Sequence, residues 1–232
     1  AEGPVAPAPR TWIVRADMPA HRDRSFAAKA HCFNRGYELV RDLAFDVVAN
    51  LDADVSFEPD YMEFLLSRFS EDPRLGVAGT IFLEDGYDSA RDSFEGGSHV
   101  AGGCQCFRRD CFEEVGGYVP NRAGGVDWIA VTTARMKGWR TRSFRERSFF
   151  HHRSLGTAER GPLAALFSYG EKDYYLGNHP AWEAFRLVYR LFKRPYVTGS
   201  LALASGYVSS AIRRTPRPVS TELMAFHRRE QM

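Results

Sequence analysis

Residues 45–57, FDVVANLDADVSF, place two aspartates directly after a run of apolar residues. A short apolar run rich in valine is typical of a buried strand. A second such run, GVAGTIF at 76–82, follows a segment with apolar side chains at helical spacing over 59–69. Strand, helix and strand in this order are typical of a mostly parallel sheet with helices packed on it. This part of the sequence therefore predicts an α/β fold.

Further elements on both sides extend the α/β pattern. Upstream, apolar residues at helical spacing predict an amphipathic helix over 25–40. Downstream, the predicted elements are a strand at 102–107, helices at 108–115 and 127–137, and an extended segment at 139–150. Residues 84–98 are acidic and rich in glycine and serine, which predicts a loop. Residues 11–14 form a candidate strand after a proline-rich opening.

Asp52 and Asp54 follow the first predicted strand. In open α/β sheets, ligands bind beyond the carboxyl ends of the strands. Two carboxylates in one tight turn can bind the same hard cation, and oxygen ligands favour Mg²⁺ or Mn²⁺, which usually also contacts substrate phosphates. The pair therefore predicts a metal site that holds a nucleotide diphosphate, although aspartate-rich turns also cap helices without any metal.

Three further positions are candidates for chemistry. Asp127 is predicted at a helix N-cap, where it is either a structural cap or, in a partly desolvated pocket, a general base. His151 and His152 follow an extended segment, and histidines there can bind a metal, contact a phosphate or fill space. Arg153 beside them could neutralise the charge of a departing diphosphate.

Composition and charge exclude several classes of protein. The 232 residues are 44% hydrophobic with a formal net charge of +2, which indicates a folded protein and no nucleic-acid partner. The four cysteines have no zinc-finger spacing and are expected to be reduced, packed thiols. The sequence has no recognisable signal peptide, so the cytoplasm is the expected location.

The carboxyl-terminal region, residues 181–232, differs from the rest of the chain. It holds nine basic and three acidic side chains, and its apolar residues form two stripes at helical spacing, one over 182–192 and one over 197–212. Helices of this kind can lie on an anionic membrane surface, or they can pack on the main domain and leave the arginines in solvent. The charge-free run 195–212 contains proline, two glycines and four serines, so it is a poor candidate for a membrane span.

Four motifs in order carry a family resemblance: LDADVSFEPDYM, GGCQCFRRDCFEEVGGY, GGVDWIAVTTARMKGWRT and HHRSLGT. Together with the upstream KAHCFNRGYE, they resemble the family 2 glycosyltransferases of the Rossmann-like GT-A fold. The tail, which includes YYLGNHPAWEAFRLVYR, is similar to the bacterial subgroup that builds exopolysaccharides and other surface glycans. The resemblance covers residues 11–232, and it lacks the family's amino-terminal nucleotide-binding strands because the chain opens with AEGPVAPAP.

The resemblance implies a role for each candidate residue. Asp52 and Asp54, with His152 as a third ligand, would hold Mg²⁺ or Mn²⁺ on the donor diphosphate. Asp127 would take the proton from the acceptor hydroxyl. The remaining donor-binding positions would be Lys29, Asn34, Gly102, Gly103, His151, His152 and Arg153.

The expected activity is therefore inverting transfer of a sugar from a nucleotide-diphosphate donor, with UDP the expected nucleotide, to a glycan or lipid-linked acceptor. Residues 1–180 would form a partial GT-A-like domain, and residues 181–232 a basic helical region on the inner face of the plasma membrane. Two alternatives stay open. One is a haloacid-dehalogenase-like phosphatase with Asp52 as nucleophile and Asp54 as acid. The other is a non-catalytic module that binds a membrane or a partner.

Overall fold

A computed structural model describes residues 25–92, 96–152 and 161–232. Within these residues the strands are β1 (Val47–Leu51), β2 (Val55–Phe57), β3 (Leu75–Glu84), β4 (Tyr87–Asp88), β5 (Cys104–Arg108) and β6 (Arg140–His151). The helices are α1 (Phe26–Val40), α2 (Tyr61–Glu71), α3 (Ser89–Asp92), α4 (Arg109–Val115), α5 (Val126–Met136), α6 (Pro162–Tyr175), α7 (Pro180–Arg190), α8 (Tyr196–Ile212) and α9 (Thr221–Gln231).

The structure confirms most of the elements that periodicity predicts. Helices α1, α2, α4 and α5 lie where apolar spacing predicts them, and β1, β3, β5 and β6 correspond to the predicted strands. The prediction of a loop over 84–98 is wrong in part. Strand β3 continues to Glu84, and β4, α3 and a short 3-10 turn at Gly96–Ser98 follow. The candidate strand at 11–14 lies outside the described residues.

The sheet is mixed, which corrects the prediction of a mostly parallel sheet. Its strand order is β1-β5-β3-β6-β2, with β4 on β3. Strand β3 pairs in parallel with β6, whereas β5 is antiparallel to both β1 and β3, and β2 is antiparallel to β6. The helix-connected strands β1, β3 and β6 therefore run in one direction, as the strand-helix-strand pattern requires. Strand β5 inserts between two of them in the opposite direction.

The turn at residues 52–54 connects β1 and β2, which lie at opposite ends of this strand order. Strand β1 ends beside the start of β5, with Leu51 opposite Cys104. Strand β2 starts directly after the turn and pairs with the end of β6, with Val55 opposite His151. The long strand β6 shifts register against β3 between Thr80 and Ile81. This arrangement brings the end of β6 next to the end of β1.

Aromatic side chains fill the core on both faces of the sheet. One face packs under α1, α4 and α5, where Phe107, Phe112 and Tyr118 are buried and meet edge to face. The other face packs under α2, where Tyr61 and Phe149 are buried. The core therefore holds α1, α5 and the strand ends in fixed positions relative to one another.

The carboxyl-terminal helices pack through unusually close backbone contact. A Cβ atom added at Gly170 of α6 would lie 2.0 Å from the Leu203 carbonyl oxygen. One added at Gly206 of α8 would lie 2.0 Å from the Phe167 carbonyl oxygen. Helix α9 packs on α5, where His227 meets Trp128 edge to face. Among the residues that the structure describes, none of the helices is both long and apolar enough to cross a bilayer.

Candidate functional site

Backbone hydrogen bonds hold the turn at residues 52–54 on both sides. The Asp52 N–H donates to the Gly103 carbonyl oxygen at 2.9 Å. The His152 N–H donates to the Asp54 carbonyl oxygen at 2.8 Å. The first bond ties the turn to the residues that precede β5, and the second ties it to the end of β6. The backbone that carries the two carboxylates is therefore held against two different strands of the sheet.

Asp52, Asp54 and His151 form a compact group of potential metal ligands. Each offers one ligand atom, and these atoms all lie within 4.8 Å of one another. The His151 Nε2 atom lies 3.5 Å from Asp54 Oδ1. Its Nδ1 atom lies 3.2 Å from Oε1 of the buried Glu84 side chain. A carboxylate on the far nitrogen of an imidazole fixes the ring, as is common behind metal-ligating histidines.

Glu84 is a site residue that the sequence does not reveal. It lies in the acidic stretch predicted as a loop, where it resembles its neighbours in composition. The feature that would identify Glu84 as a site residue is its position at the carboxyl end of β3. Because β3 and β6 are parallel, the carboxyl ends of both strands meet at the same edge of the sheet, and Leu83 pairs with Phe150 there.

The group of potential metal ligands contains His151 and not His152, the histidine that the sequence predicts as the third ligand. The His152 Nε2 atom lies 2.9 Å from Ser56 Oγ, and its ring is exposed and packs edge-on against Phe150. The reason is the alternation of side chains along an extended chain, because neighbouring residues point to opposite faces. His151 takes the face that carries Asp54. Arg153 lies outside the described residues.

The backbone of Gly102 and Gly103 links the metal-ligand group to Asp127. The Gly102 N–H donates to Asp127 Oδ2 at 3.2 Å, and its carbonyl oxygen accepts from Asn50 Nδ2 at 2.8 Å. A Cβ atom at residue 102 would lie 2.9 Å from the Asp127 Cβ atom, so the close approach requires glycine. The Gly103 carbonyl oxygen is the acceptor for Asp52. Asp127 and Asp52 therefore flank one short backbone segment, at the same end of the sheet.

Asp127 lies in the first turn of α5 rather than at its N-cap. Gly125 caps the helix, and the Asp127 carboxylate accepts its hydrogen bond from Gly102 in another loop. The positive end of the helix dipole stabilises a negative charge at this position. Burial, followed by the charge of Asp127, raises the pKa of Tyr118 well above its ordinary value. That side chain therefore stays a neutral phenol and donates to Gln105 Oε1 at 2.6 Å.

The two predicted donor-binding residues of α1 have different surroundings. Lys29 reaches the site, where its ammonium group pairs with Asp52 Oδ1 and lies 3.3 Å from the Gly102 carbonyl oxygen. The structure does not bring Asn34 to this group. Its side-chain amide donates to the Tyr118 carbonyl oxygen at 2.8 Å and accepts from the Tyr118 N–H at 3.1 Å. Asn34 therefore clamps the chain after α4.

No protein-family model matches this sequence, and no curated protein matches it. Among solved structures, the chain is similar to mannosyltransferase PcManGT from Pyrobaculum calidifontis in complex with GDP-Man and Mn²⁺. The sequence identity is 17% and the TM-score 0.46, over 84% of this chain. The chain spans 56% of the length of that protein. The family 2 resemblance and the exopolysaccharide subgroup stay predictions.

The cysteines take no part in the metal-ligand group. All four are free thiols, and Cys104, Cys106 and Cys111 are buried whereas Cys32 is exposed. Burial raises the pKa of Cys111 to about 12, so this side chain is protonated at neutral pH. The prediction of packed cysteines is confirmed for the three buried residues, whereas Cys32 is exposed.

Proposed function

We propose that the chain is a metal-dependent glycosyltransferase that moves a sugar from a nucleotide-diphosphate donor to a hydroxyl group, with inversion at the anomeric carbon. The proposal is carried by one observation: the pair of carboxylates in the metal-ligand group and the Asp127 carboxylate both lie next to the backbone segment of Gly102 and Gly103. Asp52 and Asp54 form one group with His151, and the Asp52 N–H donates to the Gly103 carbonyl oxygen, while the Asp127 carboxylate accepts from the neighbouring Gly102 N–H.

The ligand group fits a divalent cation. Two carboxylates and one imidazole suit Mn²⁺, and the two carboxylates also suit Mg²⁺. His151 replaces His152 in this role, because its Nε2 atom faces Asp54 and its Nδ1 atom is held by Glu84. A bound cation would supply positive charge beside the diphosphate leaving group. The Lys29 ammonium group, next to Asp52, would add a second positive charge there.

Asp127 is proposed as the general base. Its Oδ2 atom is held by the Gly102 N–H, which leaves the role of proton acceptor to the other oxygen. A positioned base contributes about 10²- to 10⁴-fold to the rate. Inversion follows because a single base that activates the acceptor hydroxyl implies one direct displacement. The acceptor oxygen forms its bond to the anomeric carbon as the diphosphate leaves and its proton passes to Asp127.

The donor and acceptor follow the sequence resemblance. The expected donor is a UDP-sugar, and the expected acceptor is a glycan or a lipid-linked glycan of a surface polysaccharide. A GDP-sugar is the second donor to test, because a sugar nucleotide of that kind is held in the distant structural neighbour. Free, mostly buried cysteines fit the reducing environment of the cytoplasm.

The test is turnover of UDP-glucose, UDP-N-acetylglucosamine and GDP-mannose with simple methyl glycosides as acceptors, measured as nucleoside diphosphate released with and without Mn²⁺. We expect release that requires Mn²⁺ and falls about 10²-fold or more in Asp127→Asn. The matched control is Asp110→Asn, because Asp110 lies in the first turn of α4 and is exposed.

Two results would contradict the proposal. Unchanged turnover in Asp127→Asn would remove this residue from the reaction. Release of phosphate from p-nitrophenyl phosphate that is lost in Asp52→Asn, with none of the sugar nucleotides turned over, would favour the phosphatase alternative instead.

A further inference from the structure

Helix α8 packs on the protein mostly through small residues and turns most of its large apolar residues outward. Its buried positions are Gly199, Ser200, Leu203, Gly206 and Ser210. The two glycines allow α8 to lie directly on its neighbours, as the backbone contact between Gly206 and α6 shows. The exposed side of the helix carries the apolar stripe Val197, Leu201, Val208 and Ile212. The alternative in which this stripe packs on the main domain is therefore wrong for α8.

Helix α7 and the two residues that follow it carry a second group of exposed apolar side chains. Helix α7 packs against α8, where the Ser200 hydroxyl donates to the Leu187 carbonyl oxygen at 2.8 Å. We call these exposed side chains, taken together with the α8 stripe, the apolar face of α7 and α8. Its members are Phe185, Val188, Leu191, Phe192, Val197, Leu201, Val208 and Ile212. Phe192 and Ile212 are 76% and 77% exposed, which is unusual for residues of their size.

Exposed cations lie at both ends of the α8 stripe. Lys193 and Arg194 come shortly before the helix, and Arg213 and Arg214 follow it directly. Residues 184–221 contain neither aspartate nor glutamate. Arg186 of α7 adds no free charge to this pattern, because it forms an ion pair with Asp173. Arg190 is half-buried and donates to the Arg194 carbonyl oxygen.

We propose that the apolar face of α7 and α8 binds the surface of a lipid bilayer that contains anionic headgroups. Helix α8 would lie parallel to the membrane, with its stripe among the upper acyl chains and its two cationic ends at the headgroups. Its 17 residues would span roughly 25 Å of that surface.

Charge favours a bilayer over a second copy of this chain. A symmetric dimer through α8 would bring the four exposed cations of one copy close to those of the other, and residues 184–221 offer no acidic side chain to pair with them. Anionic headgroups, in contrast, can pair with the cations at both ends of the α8 stripe. The inference stands apart from the sugar-transfer reaction, because it uses none of the proposed site residues.

The test is flotation of the full chain with vesicles of phosphatidylcholine and phosphatidylglycerol, compared with vesicles of phosphatidylcholine alone. We expect binding to the mixed vesicles that weakens as salt is raised. The double variant Leu201→Ser, Ile212→Ser should reduce the partition coefficient about tenfold or more. The double variant Arg213→Gln, Arg214→Gln should reduce it about fivefold for each charge.

The matched control is Leu39→Ser, Leu43→Ser, which removes two exposed leucines from α1 and its flank and should leave binding unchanged. All of the substituted side chains are exposed, so thermal unfolding should not shift. Equal binding of every variant, or no binding to the mixed vesicles, would overturn the proposal. A dimer in analytical ultracentrifugation that Leu201→Ser, Ile212→Ser dissociates, without vesicle binding, would assign the face to a second copy.

Discussion

Glu183 gives a quantitative prediction about stability, because its carboxyl group is buried in the first turn of α7. The residue is 2% exposed. Burial, followed by the negative charge of Asp173, raises its pKa from 4.5 to about 7, and Arg186 opposes this shift. The Arg186 guanidinium is the shared partner, since its Nη1 atom lies 2.5 Å from Asp173 Oδ2 but 3.8 Å from Glu183 Oε2.

The sign of the effect follows from proton binding. Between pH 4.5 and about 7, the folded chain holds a proton on Glu183 that the unfolded chain has released. The free energy of unfolding therefore falls as pH rises through this window, by about 3 kcal/mol for the whole shift. Glu183→Gln keeps the shape of the side chain and has no proton to lose. The difference in free energy of unfolding between Glu183→Gln and the wild type should therefore be about 3 kcal/mol more favourable to the variant at pH 8 than at pH 4.5.

The assay is urea unfolding of both proteins at several pH values, with the free energy of unfolding compared at each. The control is Glu222→Gln, because Glu222 occupies the first turn of α9 and is exposed. That substitution should not reproduce the pH-dependent gain. A difference between Glu183→Gln and wild type that is the same at pH 4.5 and pH 8 would refute the reasoning.

Three further substitutions test the packing and the site. Gly206→Ala should destabilise the chain by about 3 kcal/mol in urea unfolding, because the new methyl group would overlap the Phe167 carbonyl oxygen; a neutral effect would contradict the close contact. Asn34→Ala should lower the free energy of unfolding by about 2–3 kcal/mol, because two hydrogen bonds to Tyr118 are lost. Loss of Mn²⁺ binding with full stability would instead place Asn34 in the site. Glu84→Gln should weaken Mn²⁺ binding about 10- to 100-fold in isothermal titration calorimetry, and unchanged affinity would exclude its role in orienting His151.

Local patterns in the sequence predict much of this fold. The apolar run before Asp52 defines β1, and helical spacing defines α1 and α2. Strand direction was not predictable in the same way, because the pairing of β5 between β1 and β3 joins residues that are far apart in sequence. No local pattern encodes which neighbour a strand selects.

The site shows the same division between local and distant information. Asp52 and Asp54 share a turn after a strand, which a reader of the sequence can see. The choice between His151 and His152 depends on the register of β6 against β2, in which Val55 pairs with His151, and on the alternation of side chains between the two faces of the sheet. Glu84 joins the group through the parallel pairing of β3 with β6, which its acidic sequence context hides.

Helix α8 shows why apolar periodicity alone does not tell inside from outside. The stripe over 197–212 is present as predicted, yet the buried side of the helix consists mostly of small residues. Close contact of backbones through Gly170 and Gly206 replaces the interlocking of large side chains. An apolar stripe at helical spacing therefore does not by itself show which side of a helix is buried.

The most direct test of the proposed site is the affinity for UDP and GDP, measured by isothermal titration calorimetry with and without Mn²⁺. We expect Mn²⁺ to strengthen nucleoside diphosphate binding in the wild type, because Asp52, Asp54 and His151 can converge on one ion. Asp54→Ala should abolish that gain, whereas Asp127→Asn should retain it. Equal affinity with and without Mn²⁺ in the wild type would contradict a metal-dependent donor site.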